Sequence, residues 1–78
     1  MTIRFFAAAA EVVGSSTLDR PASLRKVGEV RMWLSEQYPQ AKALWAKCLI
    51  AVDQSYTSDG HILLPAEEVA IIPPVSGG

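Results

Sequence analysis

Glu68-Val69-Ala70-Ile71-Ile72-Pro73-Pro74-Val75-Ser76-Gly77-Gly78 decides how this chain is read, because the stretch changes character in its middle. Val69 to Ile72 is apolar and rich in β-branched residues, which predicts a last strand. Pro73 and Pro74 remove two backbone donors, so that strand cannot pair further and the chain must leave the sheet. Proline also biases the residues after it toward an extended form, and six extended residues at about 3.3 Å each reach roughly 20 Å. Gly77 and Gly78 carry no Cβ, so such an arm fits a channel too narrow for side chains. A Gly-Gly end alone is equally a frayed stub. Its place directly behind a Pro-Pro-terminated strand favours an arm that delivers the Gly78 carboxylate into a partner's active site. With a reference pKa near 3.5 that carboxylate is ionised at neutral pH and a poor electrophile, so it needs activation before any nucleophile can react with it.

Period-2 alternation organises the other end of the chain. Ile3-Arg4-Phe5-Phe6-Ala7 predicts a first strand with Ile3, Phe5 and Ala7 on one face and Arg4 and Phe6 on the other. The same parity puts Ala70 and Ile72 opposite Val69 and Ile71. Ala7 to Val13 is alanine-rich and stops at Gly14, a natural left-handed terminator, which predicts a short helix. Ser15 to Asp19 reads as an exposed strand. Val27, Val30 and Leu34, with Trp33 and Tyr38 alongside, form one apolar stripe and predict the main helix over 27–38, ended by Pro39. Lys26 would then hold the N-cap, where it offers no oxygen to a backbone N–H. A further helical turn is expected within 40–47, around Leu44 and Trp45. Leu49 to Val52 is a nearly continuous apolar run, expected as a central strand; Tyr56-Thr57 reads as a brief edge strand, with turns at Asp59-Gly60 and at Pro65 to Glu68. The order β, α, β, α, α, β, β, β predicts an α+β fold in which one sheet packs on the main helix.

At 78 residues, half hydrophobic and with a net charge of −1, the chain has room for one domain and one core. No Lys/Arg block matches a row of phosphates, so no nucleic-acid partner is expected. No apolar stretch is long enough for a membrane span or signal core, so no membrane partner and a cytoplasmic location are expected. Cys48, within an apolar run, reads as a buried small hydrophobe. His61 reads as a surface loop residue, Glu67 and Glu68 as a solvated turn, and neither Ser55 nor Ser76 has a base beside it. No metal site is expected.

Three blocks of this sequence carry a family resemblance: Ile3-Arg4-Phe5-Phe6-Ala7, the helix start Val27-Gly28-Glu29-Val30 with Trp33-Leu34, and Leu49-Ile50-Ala51-Val52-Asp53-Gln54. With the Pro-Pro-Val-Ser-Gly-Gly ending, the chain resembles the sulfur-carrier small subunits of molybdopterin synthase over essentially its whole length. The resemblance implies a β-grasp (ubiquitin-like) domain over residues 1–72 and an extended tail over 73–78. It further implies that an adenylyltransferase of the ubiquitin-activating type uses MgATP on Gly78, and that a sulfurtransferase supplies the sulfur. The resulting thiocarboxylate would donate it to cyclic pyranopterin monophosphate within a heterotetramer containing the large synthase subunit. On this reading the chain binds no cofactor and contributes a cosubstrate, not a catalytic side chain. Pro73, Pro74, Val75, Ser76 and Gly77 would thread the partner, and Phe6, Tyr56 and Ile72 are expected to form a docking surface beside the tail. Sulfur delivery to thiamine or transfer-RNA thiolation, or conjugation as a ubiquitin-like modifier, are the alternatives. Lys26 and Pro65-Ala66-Glu67-Glu68 depart from the family's usual helix cap and its acidic turn; neither touches the tail.

Overall fold

The computed structural model describes residues 2–74; the expectations placed on Val75, Ser76, Gly77 and Gly78 lie outside the described residues. Its elements run β1 (Thr2–Phe5), α1 (Ala7–Val13), β2 (Thr17–Asp19), α2 (Val27–Gln37), a 3-10 turn (Pro39–Ala41), α3 (Lys42–Lys47), β3 (Leu49–Val52), β4 (Ser55–Thr57) and β5 (Val69–Ile72). The strands form one mixed sheet in the order β2-β1-β5-β3-β4, with β1 and β5 parallel and the other pairs antiparallel. The α+β expectation holds, and the strand that leads into the prolines is the central one.

Burial follows the strand parity. Ile3, Phe5, Ile50, Val52, Val69 and Ile71 face the helices and are 4% exposed or less, and α2 lays Val27, Val30 and Leu34 over them. Trp45, from α3, plugs the space beside α2: it is 1% exposed, its ring meets Phe5 and Tyr38 edge-on, and its indole N–H donates to the Tyr38 carbonyl at 3.1 Å. Trp33 is only half-buried at the rim.

Several boundaries differ from the sequence reading: α2 ends at Gln37, one residue early, β4 starts at Ser55, one residue early, and two larger differences have local causes. β1 stops at Phe5, and Ala7 starts α1 with a left-handed φ of 49°, so Ala7 continues no strand. Ser15 lies outside β2 because its hydroxyl closes a local turn, accepting the Thr17 N–H at 3.2 Å and donating to the Thr17 carbonyl at 2.8 Å. Gly14 ends α1 as expected, at φ 80°, its N–H on the Ala10 carbonyl.

The missing cap of α2 has a backbone substitute. Lys26 is the N-cap and makes no side-chain cap bond. Instead the Val27 N–H donates to the His61 carbonyl at 3.0 Å and the Gly28 N–H to the Asp59 carbonyl at 2.8 Å, so the 59–61 loop satisfies donors that a helix start leaves open. Gly28 is suited to this contact, since a Cβ there would sit 3.1 Å from the Asp59 carbonyl oxygen. Glu29 reaches back to accept the Arg25 N–H at 2.7 Å. One turn on, the Arg31 guanidinium donates to the Trp45 and Cys48 carbonyls and pairs with Asp59 at 3.0 Å, closing the C-terminal end of α3.

Candidate functional site

Residues paired across a sheet share a face, and the registers bring Arg4, Ala70, Ala51 and Tyr56 into one row on the face turned away from the helices. Leu49 and Ile72 form the neighbouring row on that face, and Phe6 continues it from the end of β1. Phe6 is 46% exposed, Tyr56 68% and Leu49 53%, with Ile72 partly covered. No helix covers them. The three residues predicted to dock, Phe6, Tyr56 and Ile72, therefore lie on one surface and line one shallow groove of about 240 Å³. The groove exists because its floor is made of alanines, Ala51 and Ala70, while larger side chains stand around them.

Arg4 and Glu68 pair at 3.6 Å on the same face, each about half exposed. At this exposure the pair adds little stability; what it contributes is a polar rim to an apolar surface. Leu49 was not anticipated, because the apolar run from Leu49 to Val52 hid its parity. The signal was available: Leu49 is two residues from Ala51 and so shares its outward face.

The groove lies beside the place where the chain leaves the sheet. β5 is paired on both sides, with β1 as far as Ile71 and with β3 as far as Ile72, and Pro73 and Pro74 come immediately after. Phe6 sits at that same end, its N–H on the Ile71 carbonyl at 3.3 Å.

The remaining candidates are accounted for structurally. Glu67 accepts the Leu64 N–H at 2.7 Å while Glu68 turns to Arg4, so the two carboxylates diverge. His61 is exposed and serves α2 through its backbone. Cys48 is 3% exposed; burial pushes its thiol pKa up, against a smaller lowering by the Arg31 guanidinium, so it is a protonated core thiol at neutral pH. Among the described residues no helix is long and apolar enough to cross a membrane.

Relatives match this chain over almost its whole length. It is 34% identical to the molybdopterin synthase sulfur carrier subunit of Caenorhabditis elegans over 97% of this chain and 94% of that protein. The protein of that name from Escherichia coli strain K12 is also 34% identical, over 97% of this chain and 96% of its own. Among solved structures, small archaeal modifier protein 1 of Methanosarcina acetivorans superposes with a TM-score of 0.79 at 25% identity, covering 99% of this chain and 94% of that one. One from a complex of subunits 1 and 2 of molybdopterin-converting factor from Helicobacter pylori shares the fold, with a TM-score of 0.68 at 22% identity over 99% of this chain and 96% of that one. The common architecture is the ubiquitin-like β-grasp that the sequence led us to expect. The family model described as the ThiS family matches residues 3–78, and the chain belongs to that family.

Proposed function

We propose that this protein is the sulfur-carrier subunit of a molybdopterin synthase, working through its Gly78 carboxylate. One observation of the fold carries the proposal: an uncovered apolar face, with Phe6, Leu49, Tyr56 and Ile72, adjoins the point where a doubly paired central strand gives way to Pro73-Pro74. A partner seated on that face receives the tail. The names of relatives at 34% identity supply the pathway.

In the proposed cycle a carboxylate oxygen of Gly78 attacks the α-phosphorus of MgATP on a ubiquitin-activating-type adenylyltransferase, and pyrophosphate leaves. A persulfide on a sulfurtransferase then displaces AMP to give an acyl disulfide, and a thiol cleaves its S–S bond, forming a new disulfide and leaving the thiocarboxylate. Pro73, Pro74, Val75, Ser76 and Gly77 thread the active site of the large subunit, where the thiocarboxylate sulfur bonds to cyclic pyranopterin monophosphate and water cleaves the acyl C–S bond, restoring the carboxylate. Two transfers build the dithiolene. The large subunit is the expected counterpart of the second chain in the Helicobacter pylori complex, in a heterotetramer with a small subunit at each end, in the cytoplasm. The acid–base residues belong to the partners; Phe6, Tyr56 and Ile72 dock against each in turn.

Intact mass spectrometry after incubation with the activating enzyme, MgATP and a sulfur source tests the first half. One oxygen-for-sulfur exchange at Gly78 is expected, and its absence refutes the carrier chemistry. Reconstitution with a large synthase subunit and the pyranopterin tests the pathway: failure to form the dithiolene, despite thiocarboxylation, redirects the carrier to thiamine or transfer-RNA thiolation. The likeness to small archaeal modifier protein 1 favours a second reading, conjugation to lysine, which adducts on target lysines instead of the thiocarboxylate would establish.

A further inference from the structure

Arg20 is the buried charge of this fold. It is 8% exposed, and its guanidinium donates to three backbone carbonyls: Leu24 at 3.2 Å, Leu64 at 2.9 Å and Pro65 at 3.1 Å. Its Nε–H has no acceptor. The ion pairs among the described residues are Arg4 with Glu68 and Arg31 with Asp59, so no carboxylate of the described chain compensates Arg20. Burying a cation with a donor unused is costly unless an anion completes the site.

A pocket of about 320 Å³ opens at this arginine. Its walls are aliphatic, from Leu24, Ile62, Leu63 and Pro65, its other charged residue is the exposed Arg25, and it contains no acid. The walls are held in place by an antiparallel bridge between Lys26 and Ile62 and by the Leu63 N–H on the Arg25 carbonyl at 2.8 Å. Beside the pocket Ile62 is 63% and Leu64 59% exposed, more apolar surface than a pocket-sized ligand would cover. The location matters as well. Asp19 pairs with Thr2 and Val69 with Ile3, so Arg20 and Pro65 lie at the end of the sheet where β1 and β5 begin. Pro73 leaves from the other end, a four-residue strand or about 13 Å away.

We propose that this pocket binds an acidic–aliphatic segment of a partner protein, a Glu or Asp carboxylate lodging between Arg20 and Arg25 and flanking aliphatic side chains lying on Ile62 and Leu64. The Arg20 guanidinium is fixed on its three carbonyls and brings an uncompensated positive charge to the pocket wall, while the exposed Arg25 supplies the accessible donors for a carboxylate; the apolar surroundings strengthen that charge-assisted bond. The site lies at the opposite end of the sheet from Pro73 and from the groove's Phe6 and Ile72, and does not depend on the carrier chemistry, so a partner can hold the protein here while the groove is engaged elsewhere.

The probes are a capped Leu-Glu-Leu tripeptide, its Leu-Gln-Leu analogue and free 4-methylpentanoate, each titrated into the isotope-labelled full chain by NMR. The expected result is saturable shifts of the Ala22, Leu24, Arg25, Ile62 and Leu63 amides with Leu-Glu-Leu, about tenfold weaker binding of Leu-Gln-Leu, and a comparable loss in Arg25→Glu and in Ile62→Asp. Both substitutions are at exposed positions, so folding is preserved where Arg20→Met would leave three carbonyls unsatisfied. Equal affinity for the Glu and Gln peptides, shifts confined to other regions, or unchanged binding by Arg25→Glu overturns the proposal. Binding of 4-methylpentanoate as tight as the peptide's overturns the assignment to a protein partner.

Discussion

Phe6→Asp separates docking from folding, because two effects of the substitution on stability oppose each other. Phe6 is 46% exposed, so roughly half of the 1.5–3 kcal/mol that full burial of a phenylalanine provides is at stake, about 1 kcal/mol. Phe6 is also the N-cap of α1 and supplies no side-chain oxygen there. An aspartate at such a position contributes roughly 0.5–1 kcal/mol. Its backbone bonds, N–H to the Ile71 carbonyl and carbonyl from the Ala9 N–H, are independent of the side chain. The net change is about 0.5 kcal/mol or less, against a total of roughly 4–12 kcal/mol for a domain of this length. Binding has no such compensation. Losing a central aromatic from an interface costs about 2 kcal/mol or more, roughly thirtyfold in Kd, and a carboxylate buried against an apolar partner adds to this. Calorimetric titration with the large synthase subunit, with a thermal melt of the free variant in parallel, measures both. Met32→Asp, on the exposed side of α2, is the control and should bind as the parent does. A Phe6→Asp Kd within about threefold of the parent's, at unchanged Tm, would refute the docking face.

The buried thiol gives a pH signature. Because burial raises the folded pKa of Cys48 above its ordinary value of 9.0, the unfolded chain releases this proton first as pH rises. Stability is then flat with respect to this group well below its ordinary value of 9.0 and falls as pH rises between the unfolded and the folded pKa, levelling off once the folded thiol has ionised as well. Urea denaturation of the parent and of Cys48→Ala across that range checks it, since the alanine variant should lack this component. At the β3–β4 hairpin, Asp53 and Gln54 both hold left-handed φ values, 48° and 70°. Gln54→Gly relieves the strain at the second position at some cost in unfolded-state entropy, for a net gain of about 0.5 kcal/mol and a Tm rise of roughly 2–4 °C; a fall in Tm would show that the Gln54 side chain contributes contacts outweighing the strain.

Strand parity made most of the face legible from the sequence. Ile3 and Phe5 turned inward and so forced Phe6 outward, and Val69 and Ile71 did the same to Ile72; both inferences needed only the period of a strand. Leu49 escaped because β3 is apolar on both faces, and parity cannot be read where the contrast between faces is missing. Arg20 escaped for another reason: its three acceptors come from residues 4 to 45 positions away, and a single arginine after a strand carries no local mark of burial. The substitute cap of α2 was equally non-local, since Lys26 announced only that a side-chain cap was missing, while the donors' partners at Asp59 and His61 are set by the tertiary fold. The 3-10 turn over Pro39–Ala41 and the burial of Trp45 likewise depend on how α3 folds back onto α2.

The position of β5 bears on how tightly any partner of the proposed carrier must bind. A tail hung from an edge strand would share the fraying of that edge, whereas β5 is paired with both β1 and β3 through Ile71 and its last residue, Ile72, is still paired with Leu49 of β3. The root of the tail is thus fixed relative to the groove lined by Phe6 and Tyr56. The arm expected from the sequence, of roughly 20 Å if fully extended, would confine its end to a volume equivalent to an effective concentration of tens of millimolar, the order expected for a short tether. A carrier visiting an activating enzyme, a sulfur source and an acceptor in turn must dissociate between visits, which tight docking would hinder. Such a local concentration lets a small, modestly apolar face with a weak Arg4–Glu68 rim suffice at each stop, provided the face and the root of the arm are held together as rigidly as this sheet holds them.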